Sequence, residues 1–298
     1  MEPKKSNGIS PELIELYNLY IHGEINRRDF MDGAKKFAIG GLTVAGIWEL
    51  LKPNYVLGQV VAPTDARIKT EYATVQSPKG NGSIKGLLVR PANATGKLPG
   101  ILVVHENRGL NPHIEDIARR LALANFMTFA PDGLTSKGGY PGDDEKGGQL
   151  FGTVDRPKMG EDFLAAAIWL KNRPDCTGKI GATGFCFGGG VSNTLAVQMG
   201  ADLAAAVPFY GAAPAVEDVP KIKAAVLVHH GATDARLVAA WPAYEAAMKA
   251  AKVIHEGHVY PGAGHGFNNN STPERYNEAA SKAAMTRTVE WFTQYLKS

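Results

Sequence analysis

From about residue 67 onward, short apolar runs alternate with longer amphipathic stretches. Gly100-Ile101-Leu102-Val103-Val104 is a continuous apolar run, as expected of a parallel strand buried on both faces. Residues 71–76 and 84–89 instead alternate, and Pro78, Gly80 and Gly82 lie between them, which predicts a hairpin. The same reading places strands at 126–130, 179–183, 204–209, 224–229 and 254–260. It places helices at 114–123, 163–172 and 276–296, with another starting near 191. Residues 134–156 are polar and glycine-rich, carry Asp143, Asp144 and Glu145, and are expected to form a long loop of the kind that serves function. Strands interleaved with helices predict an α/β domain over 67–298, with a mostly parallel sheet covered on both faces.

Residues 1–58 differ in texture and form a separate N-terminal segment. Residues 11–20 have helical spacing. Asn26-Arg27-Arg28-Asp29-Phe30-Met31 resembles a twin-arginine export signal, an apolar stretch follows at 37–51, and Val56-Leu57-Gly58 offers a small-residue cleavage point before Gln59. The apolar stretch is too short to span a bilayer. Two readings stand: periplasmic export with this segment as the signal, or a helical appendage kept on a cytoplasmic protein.

Bulk composition narrows the function. The 298 residues carry a formal net charge of +3 with both signs interspersed, which gives no case for a nucleic-acid surface. Cys176 and Cys186 are the two cysteines, both read as free thiols, and they have no zinc-type spacing. His105, His229 and His230 show no ligand pattern either, so neither a metal nor a cofactor is expected.

The most informative run is Gly184-Phe185-Cys186-Phe187-Gly188, a Gly-x-nucleophile-x-Gly elbow between an expected strand and helix. A side chain on such a turn is pushed out of the sheet, and the helix N-terminus beneath it favours a thiolate. A small buried cysteine in a tight turn is the competing reading. A thiol nucleophile needs a base, and the base an orienting acid. Asp234 follows the strand at 224–229, and His265 follows the strand at 254–260 within Gly264-His265-Gly266, in the order this fold requires. The loop after Val104 reads His105-Glu106-Asn107-Arg108-Gly109-Leu110-Asn111. Its Asn107 N–H and the Phe187 N–H are the expected oxyanion-hole donors, and Glu106 is placed within reach of the thiol.

With these residues in hand, the chain resembles the dienelactone hydrolase (carboxymethylenebutenolidase) family of α/β-hydrolases. The matching pieces are 105–111, Ala130-Pro131-Asp132-Gly133-Leu134, the 184–189 elbow, Phe209-Tyr210-Gly211, Asp234 and Gly264-His265-Gly266-Phe267. The resemblance implies Cys186 as nucleophile, His265 as base, Asp234 as its orienting acid and Glu106 as a partner for the thiol proton. It implies hydrolysis of a small ester or lactone. Arg108, Tyr210 and Phe267 are candidate substrate contacts. Lactone-degrading members carry an Arg a few residues after the catalytic His, whereas this chain has Asn268-Asn269-Asn270-Ser271. Arg156 is a possible replacement. Other readings of the same residues are a binding protein that keeps the fold without turnover, and a redox role for Cys186 with Cys176 as its partner.

Overall fold

The computed structural model describes residues 9–39 and 41–297. The first eight residues of the N-terminal segment and Gly40 of its apolar stretch lie outside the described residues. Among the described residues, four α-helices precede the sheet: α1 (Pro11–His22), α2 (Arg27–Ala34), α3 (Val44–Leu51) and α4 (Tyr55–Gly58). Ser10 caps α1 by accepting from the Leu13 N–H, Pro11 sits where its missing N–H costs nothing, and Gly23 closes the helix in the left-handed region. Asn26 and Asp29 form a capping box on α2. Leu13, Tyr17, Phe30, Ile47, Trp48 and Leu51 make a small core of their own, apart from those on the sheet.

The hairpin forms as β1 (Ile68–Ser77) against β2 (Gly82–Pro91), antiparallel, with Val75 opposite Ile84 and Gly82 turning at φ +90°. In chain order there follow β3 (Leu98–Val104), α5 (Pro112–Leu123), β4 (Met127–Pro131), α6 (Asp144–Phe151), α7 (Arg156–Lys171), β5 (Cys176–Phe185) and α8 (Phe187–Met199). The chain then adds β6 (Ala205–Phe209), β7 (Ala225–Gly231), α9 (Ala235–Ala250), β8 (His255–Tyr260) and α10 (Glu278–Leu296). Among the described residues these strands make one sheet in the order β1-β2-β4-β3-β5-β6-β7-β8. The ladders from β4 through β8 are parallel, and β2 meets β4 antiparallel. Ile117 and Leu121 of α5 and Trp291 and Phe292 of α10 cover one face over Val103 and Val207. Phe163 and Leu170 of α7, Leu195 of α8 and Met248 of α9 cover the other over Leu102, Ala182 and Val226.

Two expectations need correction. Residues 134–156 are not one long loop, because α6 forms within them, capped by Asp143 through the Lys146 N–H at 2.8 Å. Its interior Gly147 and Gly148 lower helix propensity and leave no helical signature, yet Gly147 is required, since a Cβ there would overlap the Arg108 carbonyl, and Gly148 leaves room for the Arg108 guanidinium. Helix α9 has no clear signature in the sequence because its buried stripe is only Leu237, Tyr244 and Met248, separated by alanines and interrupted by Pro242. The redox reading of the cysteines also fails. Cys176 opens β5 and Cys186 follows its far end, so at about 3.3 Å per residue they sit roughly 30 Å apart, far beyond disulfide reach.

Candidate active site

The end of β5 delivers Cys186 on the expected elbow. Cys186 has φ +55° and ψ −113°, a strained conformation for a residue with a Cβ, and it immediately precedes the first turn of α8. The turn holds because the Cys186 N–H donates to the Phe209 carbonyl at 3.0 Å and its own carbonyl accepts from Gly189 at 3.0 Å. A Cβ on Gly184 would overlap the Gly188 backbone, and one on Gly188 would overlap the Val104 and His105 carbonyls. The Phe187 N–H belongs to the first residue of α8, so no earlier turn of that helix offers it an acceptor.

Asp234 and His265 arrive from the two neighbouring strands. Thr233 donates to the Ala263 carbonyl through its N–H at 3.0 Å and its hydroxyl at 3.1 Å, which clamps the acid loop to the histidine loop. His265 Nδ1 and Asp234 Oδ2 are 2.5 Å apart, while Asp234 Oδ1 accepts from the Leu237 N–H at 3.4 Å at the start of α9. That fixes the imidazole with Nε2 outward and buried, toward the Cys186 sulfur. Burial alone would push His265 down, but the neighbouring Cys186 and the Asp234 hydrogen bond outweigh it and raise its pKa to about 9. Burial also opposes ionisation of Asp234, and the His265 hydrogen bond holds that carboxyl below its ordinary value nonetheless.

The loop after β3 is built around His105. Its Nδ1 lies 2.5 Å from the Glu106 carbonyl and its Nε2 accepts from the Gly133 N–H at 2.9 Å, so this buried ring braces the loop instead of binding a ligand. Glu106 is buried in the cavity wall, and its Oε2 accepts from Asn269 Nδ2 at 3.3 Å. Burial pushes the Glu106 carboxyl upward, only partly offset by Arg275 and His265. The triple asparagine that replaces the family's arginine is therefore occupied. Asn268 accepts from Ser281, Asn269 holds Glu106, and Asn270 Nδ2 donates to the Gly58 carbonyl at 2.6 Å.

The N-terminal helices roof this site, an arrangement absent from the sequence reading. The Ile21 carbonyl accepts from Asn107 Nδ2 at 2.5 Å and from Arg108 Nη2 at 3.0 Å. His22 stands edge-on to His265, ring centroids 4.5 Å apart. A ring nitrogen of His22, one of His265 and the Cys186 Sγ all lie within 4.8 Å of one another. Burial, then repulsion from His265, pushes His22 down to about 3, so the ring is neutral. Farther out, Tyr55 donates to both Asp144 oxygens at 2.8 and 2.7 Å, and Arg27 pairs with Glu145 at 3.2 Å while its guanidinium lies 4.9 Å over Trp48. Arg27, the first arginine of the pair that resembles an export signal, thus ties the N-terminal segment to α6. Gly58, the expected cleavage point, is buried so tightly on Ser271 that no Cβ fits there. No described helix is long and apolar enough to cross a membrane.

Under this roof lies a cavity of about 270 Å³ that reaches Cys186, Glu106 and His265 and is walled by Tyr20, Trp48 and Tyr55 of the N-terminal segment. Arg275, ten residues past His265, lines it too, braced 5.5 Å from the Tyr17 ring; no motif announces it. Of the candidate substrate contacts, Arg108 is tied to Ile21. Tyr210 holds φ +36° with its ring 5.0 Å from His265. Phe267 is corrected: fully buried against Phe209, Tyr210 and Tyr260, it belongs to the core and lines neither cavity beside Cys186. Arg156 stacks 3.6 Å over Phe151 in a second cavity on the Phe187 side.

Comparison with known proteins identifies the family. The model of the dienelactone hydrolase family matches residues 84–296, and a YqhI-like model matches residues 1–38. An Escherichia coli K12 hydrolase fragment, YghX, is 54% identical over 114 residues, 38% of this chain and 97% of the fragment. A Salmonella typhimurium protein, provisionally named a carboxymethylenebutenolidase, is 31% identical over 233 residues, 73% of this chain and 85% of its own length. The crystal structure of a dienelactone hydrolase-like promiscuous phosphotriesterase from metagenomic libraries superposes with a TM-score of 0.67 at 26% identity, covering 77% of this chain and 99% of that one. By fold, site geometry and this match over most of its length, the chain belongs to the dienelactone hydrolase family and is a hydrolase of esters or lactones.

Proposed function

We propose that the chain hydrolyses a small ester or lactone through a covalent acyl-cysteine on Cys186, with His265 and Asp234 completing the triad. The observation that carries this reading is the strained elbow with Cys186 and His265 facing each other while Asp234 fixes the imidazole. The Cys186 thiolate attacks the acyl carbon and the carbonyl electrons move onto oxygen, where the N–H groups of Asn107 and Phe187 receive them. Collapse expels the alkoxide, protonated by the His265 imidazolium. Water then attacks the thioester, His265 accepts its proton, and the carboxylic acid leaves as the thiolate reforms. Glu106, pushed toward its protonated form by burial, lines the same cavity as Cys186, which supports a role in exchanging a proton with the thiol.

Residues 9–58 are inferred to stay on the working enzyme, since their aromatic rings wall the cavity. Removal after Gly58 would strip the site of its roof. The mass of the protein isolated from its own host decides between this and export with cleavage. For the chemistry, turnover of a p-nitrophenyl ester is compared between the intact protein and Cys186→Ala. A loss of at least about a thousandfold is expected, and equal rates would overturn the mechanism.

A further inference from the structure

The residues around Cys186 do more than complete a triad. His22, Cys186 and His265 form the one cluster of three His, Cys, Asp or Glu side chains among the described residues whose ligating atoms come within metal-binding reach of one another. We propose that these three side chains form a Zn²⁺ site that reversibly blocks the hydrolase.

The donor set is one sulfur and two imidazoles, the borderline-soft combination that zinc favours. His265 already has the surroundings of a metal-ligating histidine. Asp234 takes its Nδ1, which fixes Nε2 as the free donor. That Nε2 is buried on a residue only 7% exposed, with the Cys186 sulfur as its one neighbouring partner, and His22 Nε2 is buried and unpartnered. Buried nitrogens without partners are costly, and a ligand that supplies one removes the cost. His22 is not a loose donor either, because the carbonyl of the adjacent Ile21 is pinned by Asn107 and Arg108.

Geometry permits the site with small movements. With Zn–S near 2.3 Å and Zn–N near 2.0 Å, tetrahedral ligand atoms stand roughly 3.5 Å apart. The three atoms here lie within 4.8 Å of one another, so closing the set takes about an ångström of side-chain rotation. The fourth position faces the cavity, where water can occupy it. Binding forms a Zn–S bond from the thiolate electron pair and two Zn–N bonds, and it releases to water the proton shared by Cys186 and His265. Both catalytic side chains are then engaged, and attack on an ester stops. Since His22 comes from the N-terminal segment, outside the stretch matched by the family model, the full site needs that segment.

The test uses the full chain with Co²⁺ and Zn²⁺ as probes. Co²⁺ is expected to give a near-ultraviolet thiolate-to-cobalt charge-transfer band, absent in Cys186→Ser. Zn²⁺ is expected to suppress ester turnover, with recovery on adding a chelator. His22→Gln, shown by circular dichroism and melting in chelator to be folded, should bind Zn²⁺ at least about tenfold more weakly in chelator competition. His22→Asn serves in its place if the Gln variant melts early. No thiolate band at saturating Co²⁺ would overturn the site, as would undiminished Zn²⁺ affinity in the folded His22 variant. Either result leaves the hydrolase reading intact, because turnover in chelator is measured separately.

Discussion

His265 sets the working pH of the site. Its pKa of about 9 keeps the imidazolium through neutrality, and under the proposed mechanism, in which that imidazolium protonates the leaving group, kcat/KM should fall as pH rises through about 9. Asp234→Asn removes one of the influences holding that value up, so the descending limb should move to lower pH while kcat drops about a thousandfold or more. A pH–rate profile of the two proteins checks both statements. The same shift carries a stability contribution, and its sign follows from the raised value. It is fully present below the unfolded pKa of about 6.5 and lost as pH rises through 9. Arg275 lines the cavity with a positive charge that Asn268–Asn270 lack, so it is the residue placed to meet a substrate carboxylate. Arg275→Gln should raise KM about ten- to a hundredfold for a lactone bearing a carboxylate and leave KM for p-nitrophenyl acetate nearly unchanged. Steady-state kinetics on the two substrates tests the assignment.

At the scale of elements, the elbow and the roof depend on different physics. The elbow depends on close approach of backbones, so Gly188→Ala should destabilise the fold by about 2–4 kcal/mol through overlap with the Val104 and His105 carbonyls, measurable by urea denaturation. The roof has its own apolar core, and much of its docking is polar. Tyr55→Phe leaves the buried Asp144 carboxylate with Tyr140 as its remaining hydroxyl donor and should cost about 1–3 kcal/mol, seen as a lower Tm. The sequence made the elbow, the order acid-then-histidine and most strands legible because each has a local signature: glycines, an apolar run, a fixed place after a strand. Helix α6 was not legible because Gly147 and Gly148 serve contact with Arg108 at the expense of propensity. The roof was not legible because docking of Ile21 and His22 onto residues some 85 to 240 positions later leaves no local pattern. Arg275 was hidden for the same reason, since the turns after His265 bring it back to the cavity.

Over the whole molecule, buried neutral histidines tie stability to acid. His105 and His229 are fully buried and pushed down by that burial, while His113 is lowered to about 3 and His230 to about 4. Each binds a proton more readily when unfolded, so stability is lost as pH falls below about 6.5. Tm should therefore decline on acidification from neutrality, with the roof's His22, also near 3, contributing in the same direction. Scanning calorimetry from pH 7.5 to about 4.5 would show this, and a flat Tm would contradict it. The claim on which the rest depends is the covalent one. Intact-protein mass spectrometry after rapid quench with p-nitrophenyl acetate tests it most directly. The account predicts one added acetyl group, mapped by peptide digestion to Cys186 and absent from Cys186→Ala. Turnover with no acyl adduct, or an adduct on another side chain, would contradict it.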